Sequence, residues 1–298
     1  MAVTSIGIDG ENKDQVTSTK KPEIYLKEGM YFSTAESHYK ERRLVSELVE
    51  ITNERSSLGR IVTAKVSVGG NALISGPSSG VSLRRWVSGM AKFGIDLTII
   101  DGAISRLSSA SPAISKAMVL STGAAYSSNI QTLVQKTKFV VEMIGLPKLA
   151  DESRDALCDI ESGVWGVDLN GEIVDLKLTS ALAISSLKRD ITKDMKIIFT
   201  VGALTDKLLN LVADSKNIRN VTLVVKDFTK IFVSESAYRV FCSRGGKIMV
   251  LQKSKLIAVC VNPTAPNGYV LDSDILCRKL EEAIKLPVYD IVKNSYDI

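Results

Sequence analysis

Asp101 is the residue whose type and position most clearly suggest chemistry. It follows the apolar run from Leu97 to Ile100 and precedes Gly102, which predicts a carboxylate at the carboxyl end of a strand covered on both faces. Ligands of open α/β sheets bind at that end, and a carboxylate there can order Mg²⁺ beside a bound phosphate. The alternative is that Asp101 only accepts hydrogen bonds from backbone amides of its own loop. Both interpretations stay open at the level of sequence.

Asp9 and Glu11 are further candidate ligands of a nucleotide or Mg²⁺. They follow the first predicted strand, which begins at Val3. Two acidic side chains after that strand would reach the same edge of the sheet as Asp101 if the two strands are parallel. Capping of a turn explains these two acidic residues equally well.

The loop "SGPSSG" is a glycine-rich turn between a predicted strand and a predicted helix. Its residues Gly76, Ser78 and Ser79 precede a helix expected from Ser82 to Phe93. Hydroxyls and free amides at a helix start can hold an anion, which makes these residues a candidate anion-binding loop. An ordinary capped turn explains the same pattern.

Two further segments are predicted to form a rim that contacts a ligand or a partner. Arg106 lies in the small-residue loop "SRLSSASPAIS", and Thr122 and Gly123 close a strand expected from Met118 to Ser121. Loops at strand ends often carry binding residues. These residue types do not indicate a particular reaction.

Motifs for independent catalysis are missing from the sequence. There is no GxxxxGK[ST] or GxGxxG pattern, so no nucleotide-binding loop is predicted. The single histidine, His38, lies in the polar stretch "STAESHYKERR" and is expected on a solvated helix surface. The four cysteines are scattered without CxxC spacing, as expected of reduced thiols. We therefore predict no catalytic residue and no metal cluster, and an autonomous enzyme is not expected.

The overall composition argues against nucleic acids and membranes as partners. The 298 residues carry 38 basic and 33 acidic side chains, a net charge of +5 without a concentrated basic stripe, so nucleic-acid binding is not expected. No apolar run approaches the length of about 20 residues that spans a membrane, and no leader is recognisable. A cytoplasmic protein is the expectation.

Strands that alternate with helices predict an α/β fold with a mostly parallel, three-layer sheet in residues 1–150. A charged helix is expected from Ser37 to Glu50. The polar segment "KLADESRD" suggests a boundary near residue 150, followed by a second, smaller α/β lobe in residues 151–298. That lobe should contain a hairpin around Asn170-Gly171, a pair that favours a tight turn.

Several of these segments together resemble a known family. They are "VTSIGIDGE" (3–11), "ISGPSS" (74–79), "DLTIIDGAISRLSSASP" (96–112), "LSTGAA" (120–125) and "VNPTAPNGY" (261–269). They are similar to the small subunit of the lysine 5,6-aminomutase reactivase, the KamB-type family, over nearly the whole chain. The stretch from Asp96 to Ala125 is the most specific part, because strand, loop and second strand match in order.

The resemblance implies an accessory subunit of lysine fermentation. Such a subunit would work beside a larger, MutS-related ATPase to restore an aminomutase whose adenosylcobalamin has been damaged. Cobalamin would then be met only through the client enzyme, and no DxHxxG loop for direct cobalamin binding is present.

The family also implies a P-loop-like segment ahead of the "TSIG" strand, which this sequence lacks. An incomplete P-loop NTPase-like domain would therefore be expected, with a gap in the sheet centre. ATP and Mg²⁺ would bind only if such a phosphate loop exists. The alternative function is a nucleotide-binding enzyme, kinase-like or GTPase-like, that uses Asp101.

Overall fold

The computed structural model describes residues 1–6, 23–56, 58–102, 110–178 and 190–294. The chain divides into two compact units, Met1–Ser115 and Lys116–Ile298. Each unit has its own hydrophobic clusters and is described by itself.

The N-terminal unit contains one mixed sheet. In the described residues its elements are β1 (Ala2–Ser5), β2 (Ile24–Leu26), β3 (Tyr31–Ala35), α1 (Glu36–Glu41), β4 (Arg43–Ser56), β5 (Gly59–Ala72), α2 (Gly80–Gly89) and β6 (Thr98–Asp101). Strand β1 is parallel to both β3 and β6, whereas β5 is antiparallel to β2, β3 and β4. The α/β class is confirmed, but the sheet of this unit is mixed rather than mostly parallel.

The sheet has no gap on either side of β1. Strand β1 is hydrogen-bonded on one side to β3 and on the other to β6, so no gap lies beside it. Its side chains alternate between the two faces: Ala2 packs against Trp86 and Met90, and Val3 belongs to a separate buried cluster that includes Phe32. This places apolar cover on both faces of this internal strand, as expected of a layered α/β unit.

The prediction of a helix from Ser37 to Glu50 is wrong for most of these residues. Helix α1 ends at Glu41, the backbone of Arg42 is extended, and β4 begins at Arg43. The stretch from Arg43 onward contains β-branched residues, among them Val45 and Val49, which favour strand. Pairing along the 14-residue β5 outweighs the helical propensity of its glutamates.

The C-terminal unit begins with β7. Its described elements are β7 (Met118–Gly123), α3 (Ile130–Ile144), α4 (Arg154–Cys158), β8 (Val164–Asp168), β9 (Ile173–Leu178), β10 (Met195–Thr200), β11 (Leu204–Thr205), α5 (Asp206–Ala213), β12 (Thr222–Val225), β13 (Ile231–Phe232), α6 (Glu235–Ser243), β14 (Lys247–Val250), β15 (Leu256–Asn262), α7 (Ser273–Ile284), β16 (Val288–Asp290) and α8 (Ile291–Asn294). A five-stranded sheet has the order β14-β12-β10-β8-β9, a parallel three-stranded sheet has the order β16-β15-β7, and β11 pairs with β13.

The hairpin predicted around Asn170-Gly171 is confirmed as the antiparallel pair of β8 and β9. Gly171 has a φ of 94°, a backbone angle that residues other than glycine rarely adopt. The carboxylate of Asp168 accepts the N–H groups of Asn170 and Glu172, both at 2.9 Å. The turn is therefore held by an aspartate as well as by the glycine.

The boundary between the two units differs from the expected one near residue 150. Strand β7 pairs with β15, which lies far away in the sequence, and so residues 116–150 fall in the C-terminal unit. That unit is consequently the longer of the two, not the smaller. No helix in the described part of the chain is long and apolar enough to cross a membrane.

Candidate functional site

Asp101 lies where its strand pattern predicts, at the carboxyl end of β6. It is directly opposite Ser5 in the parallel register of β6 and β1, and its side chain is exposed. Strand β6 is an edge strand of its sheet, and Leu97 and Ile99 are 55% and 46% exposed. The expectation of a strand covered on both faces is therefore wrong, but the carboxylate does stand at the carboxyl end of two parallel strands.

The loop that contains Gly76 crosses the same strand end. A Cβ atom built on Gly76 would lie 1.7 Å from the carbonyl oxygen of Ser5 and 2.8 Å from the hydroxyl of Thr4. Gly76 thus lies against one side of the end of β1, and Asp101 pairs with the other. The fold brings these two sequence-predicted residues to one strand end, with Ser5 between them.

Ser79 has a structural use as the N-cap of α2. Its Oγ accepts the N–H of Ser82 at 3.1 Å and donates to the Ser82 hydroxyl at 2.9 Å. Ser78, beside it, is exposed. Of the two interpretations of "SGPSSG", the capped turn explains Ser79 and the close approach of backbones explains Gly76. Neither residue requires an anion to account for its presence.

A buried polar network lies under this loop, and the sequence interpretation missed it. The hydroxyls of Thr4 and Ser33 are 2.6 Å apart, and Ser33 donates to the carbonyl oxygen of Ser75 at 2.7 Å. The hydroxyl of Ser75 is 2.8 Å from Nδ1 of His38. All four side chains are at most 6% exposed.

His38 is therefore buried, and its expected place on a solvated helix surface is wrong. The signal that could have revealed it is Tyr39, its neighbour, whose ring stacks on the buried Phe32 at 6.5 Å. An aromatic residue within a very short polar helix indicates that one side of the helix faces the core. Because Ser75 is fully buried, the serine–histidine pair stabilises the loop and does not form an accessible nucleophile.

Thr122 and Gly123 lie in a different sheet from Asp101. They end β7 in the C-terminal unit, where Gly123 pairs with Asn262 and a Cβ atom on Gly123 would lie 2.1 Å from the Asn262 carbonyl oxygen. The hydroxyl of Thr122 is 2.9 Å from that of Thr137 in α3. The two residues thus connect β7 to its neighbours, and they share no sheet rim with Asp101.

Three sequence-predicted residues, Asp9, Glu11 and Arg106, lie outside the described residues. Within the described ranges, no group of three or more histidine, cysteine, aspartate or glutamate side chains could hold a metal ion.

Among the described carboxylates of the N-terminal unit, Glu36 has the most strongly shifted pKa, and it lies outside this site. Arg60 donates its backbone N–H and its guanidinium to Glu36, at distances from 2.8 to 3.3 Å. The side-chain hydrogen bond from Arg60 is the main cause that lowers the pKa of Glu36 to about 2. The fork geometry fastens the start of α1 to the start of β5.

In comparisons with known proteins, no protein-family model, no curated protein and no solved structure matches this chain.

Proposed function

We propose that this chain is an accessory subunit of an aminomutase reactivase. In this role it helps a MutS-related ATPase to restore an adenosylcobalamin-dependent lysine 5,6-aminomutase. The proposal rests on the sequence segments that resemble the reactivase family, and one structural observation supports it.

That observation is the position in the fold of the segments that resemble the reactivase family, as far as the structure describes them. The segment at 74–79 crosses the end of β1, and Asp101 stands at the neighbouring end of β6. In the C-terminal unit, the segments at 120–125 and 261–269 meet where Gly123 pairs with Asn262. Strand ends and the loops that follow them are where α/β proteins place binding residues.

The test is reconstitution with the two partners. The tagged chain, the ATPase and the aminomutase are co-expressed, and the complex is captured and analysed by size-exclusion chromatography. We expect both partners to be captured with the chain. In parallel, damaged aminomutase is incubated with ATP, adenosylcobalamin and the ATPase, with and without this chain. Recovery of turnover should require the chain, and the absence of both association and recovery would reject the proposal.

Nucleotide binding is the second candidate function, and the position of Asp101 is the observation that favours it. A carboxylate at the carboxyl end of a strand with parallel neighbours is suited to a hydrated Mg²⁺. Against it, Gly76 is packed on the Ser5 carbonyl oxygen, which leaves that glycine no room for a phosphate.

Calorimetric titration with Mg-ATP and Mg-GTP tests this candidate with two matched variants. Asp101→Asn removes the carboxylate at the carboxyl end of β6, whereas Asp96→Asn makes the same charge change in an exposed residue before the amino end of that strand. If a nucleotide binds, we expect Asp101→Asn to lower affinity at least tenfold and Asp96→Asn to leave it unchanged. An N-terminally extended chain is the second arm, and no heat of binding from either chain would eliminate this candidate.

A further inference from the structure

A cavity of about 390 Å³ lies in the C-terminal unit. Its walls come from the end of α3, the loop after β14, the start of β15 and the residue before Pro287. The lining residues are Val141, Ile144, Gly145, Lys253, Ser254, Lys255, Leu256 and Leu286. The volume lies within the range of about 300–1,000 Å³ that small-molecule sites occupy.

The lining combines an apolar interior with positive charge. Val141, Ile144, Leu256 and Leu286 supply hydrocarbon surface, and among the described residues that line the cavity only Lys253 and Lys255 are charged. Neither lysine forms an ion pair with another described residue. Two unpaired cations at the edge of an apolar cavity attract an anion more strongly than they would on a flat surface, because low-dielectric walls concentrate their field.

Nearby negative charge does not cancel this field. Glu142, next to Val141, is engaged by Arg239 at 2.7 Å. The carboxyl end of α3 carries a partial charge of only about −0.5, against the two full positive charges of the lysines. The cavity therefore keeps a net positive edge.

We propose that this cavity binds a small amphiphilic anion, whose apolar body lies against Val141, Ile144 and Leu286 and whose carboxylate is held by Lys253 and Lys255. This function is independent of the accessory role proposed above, because all the residues involved lie in one unit and none belongs to the strand-end segments. A straight-chain monocarboxylate such as octanoate, with an apolar tail and one negative charge, represents this ligand class.

Calorimetry and ligand-observed NMR with octanoate and with octylamine test the proposal on the full chain. The two probes share the same alkyl body and differ in the sign of their charge. We expect octanoate to bind with a dissociation constant on the order of 1 mM or tighter, and to bind at least tenfold more tightly than octylamine. Failure of octanoate to bind, or equal binding of the two probes, would overturn the proposal.

Variants then locate the site. The double variant Lys253→Gln/Lys255→Gln keeps most of each side-chain stem and removes both charges, and we expect octanoate affinity to fall about tenfold. The matched control Lys216→Gln/Lys247→Gln makes the same change in net charge at two exposed lysines outside the cavity, and its affinity should stay within about twofold of wild type.

Leu286→Trp places a larger side chain in the cavity from a partly exposed position. It should abolish octanoate binding while circular dichroism shows an unchanged fold. If the lysine double variant and its control lose affinity equally, octanoate responds only to total charge and the site assignment is wrong. If Leu286→Trp folds and still binds octanoate as wild type does, the cavity is likewise not the site.

Discussion

Gly76 should tolerate no side chain, because the chain of β1 passes directly under it. A Cβ atom at this position would be 1.7 Å from the carbonyl oxygen of Ser5, whereas real Cβ atoms essentially never come closer than 3.0 Å. Gly76→Ala therefore requires the loop or the end of β1 to move by about 1.3 Å. Both neighbours are backbone segments, so rotation of a side chain cannot relieve the clash.

The loss of stability expected for Gly76→Ala follows from the hydrogen bonds that such a movement breaks. The hydrogen bonds from Ser33 to the Ser75 carbonyl oxygen and between Ser33 and Thr4 bind the loop to β1, at 2.7 and 2.6 Å. Each buried hydrogen bond of this kind contributes about 1 kcal/mol, and forced overpacking adds about 1–3 kcal/mol. We therefore expect Gly76→Ala to lower the free energy of unfolding of the N-terminal unit by about 3 kcal/mol.

Urea unfolding monitored by tryptophan emission measures this loss. The chain has two tryptophans, Trp86 in the N-terminal unit and Trp165 in the C-terminal unit. In a Trp165→Phe background, emission reports on the surroundings of Trp86, which is 7% exposed.

Gly89→Ala is the matched control within the same unit. Gly89 ends α2 in a helical backbone conformation, and the nearest atom to its built Cβ is in the flexible Lys92 side chain at 3.7 Å. Alanine there should leave stability unchanged or raise it by up to about 1 kcal/mol. If Gly76→Ala stays within about 0.5 kcal/mol of wild type, the close approach of the loop to β1 is refuted.

Two further substitutions in the N-terminal unit and one in the C-terminal unit test other interactions. His38→Ala removes the buried partner of the Ser75 hydroxyl, and we expect a loss of about 2 kcal/mol in the same urea assay. Glu36→Gln should make stability depend less on pH in the acid range. Arg60 lowers the pKa of the Glu36 carboxyl from 4.5 to about 2 in the folded state. The carboxylate therefore contributes stability that is fully present above pH 4.5 and is lost as the pH falls towards 2. Urea midpoints at pH 7, 4.5 and 2.5 measure that slope, and an identical slope in the variant would contradict the interpretation. Asp290→Ala removes the carboxylate that accepts two N–H groups at the start of α8, and a loss of about 1 kcal/mol should appear in thermal unfolding.

Elements specified by local chemistry could be predicted from the sequence. The predicted helix end at Phe93 is confirmed, because a 3-10 turn over Met90–Phe93 continues α2 and Gly94 ends it with a left-handed φ of 69°. The hairpin at Gly171 follows from its turn residues. The strand that ends at Asp101 is also confirmed, because a short apolar run bounded by glycine suffices to identify it.

Features that depend on distant partners could not be predicted in the same way. The charged stretch after Arg43 is a strand only because β5 pairs along it. The division of the chain near residue 115 depends on β7, whose partner β15 is contributed by the end of the sequence. The hydrogen-bond partner of His38, Ser75, is 37 residues away, although the neighbouring Tyr39 could have indicated that His38 is buried. No local pattern contains these long-range contacts.

The same distinction separates the residues at the end of β1. Gly76 and Ser79 resemble a phosphate-binding turn in sequence, but backbone packing and helix capping account for both in the structure. Asp101 differs from them because its side chain is exposed at the end of an edge strand, where it is accessible to a partner. Substitution of Gly76 would therefore damage the fold together with any function, whereas Asp101→Asn should leave the fold intact. Loss of partner capture in Asp101→Asn, with capture retained in Asp96→Asn, would assign the contact to this strand end and not to the stability of the unit.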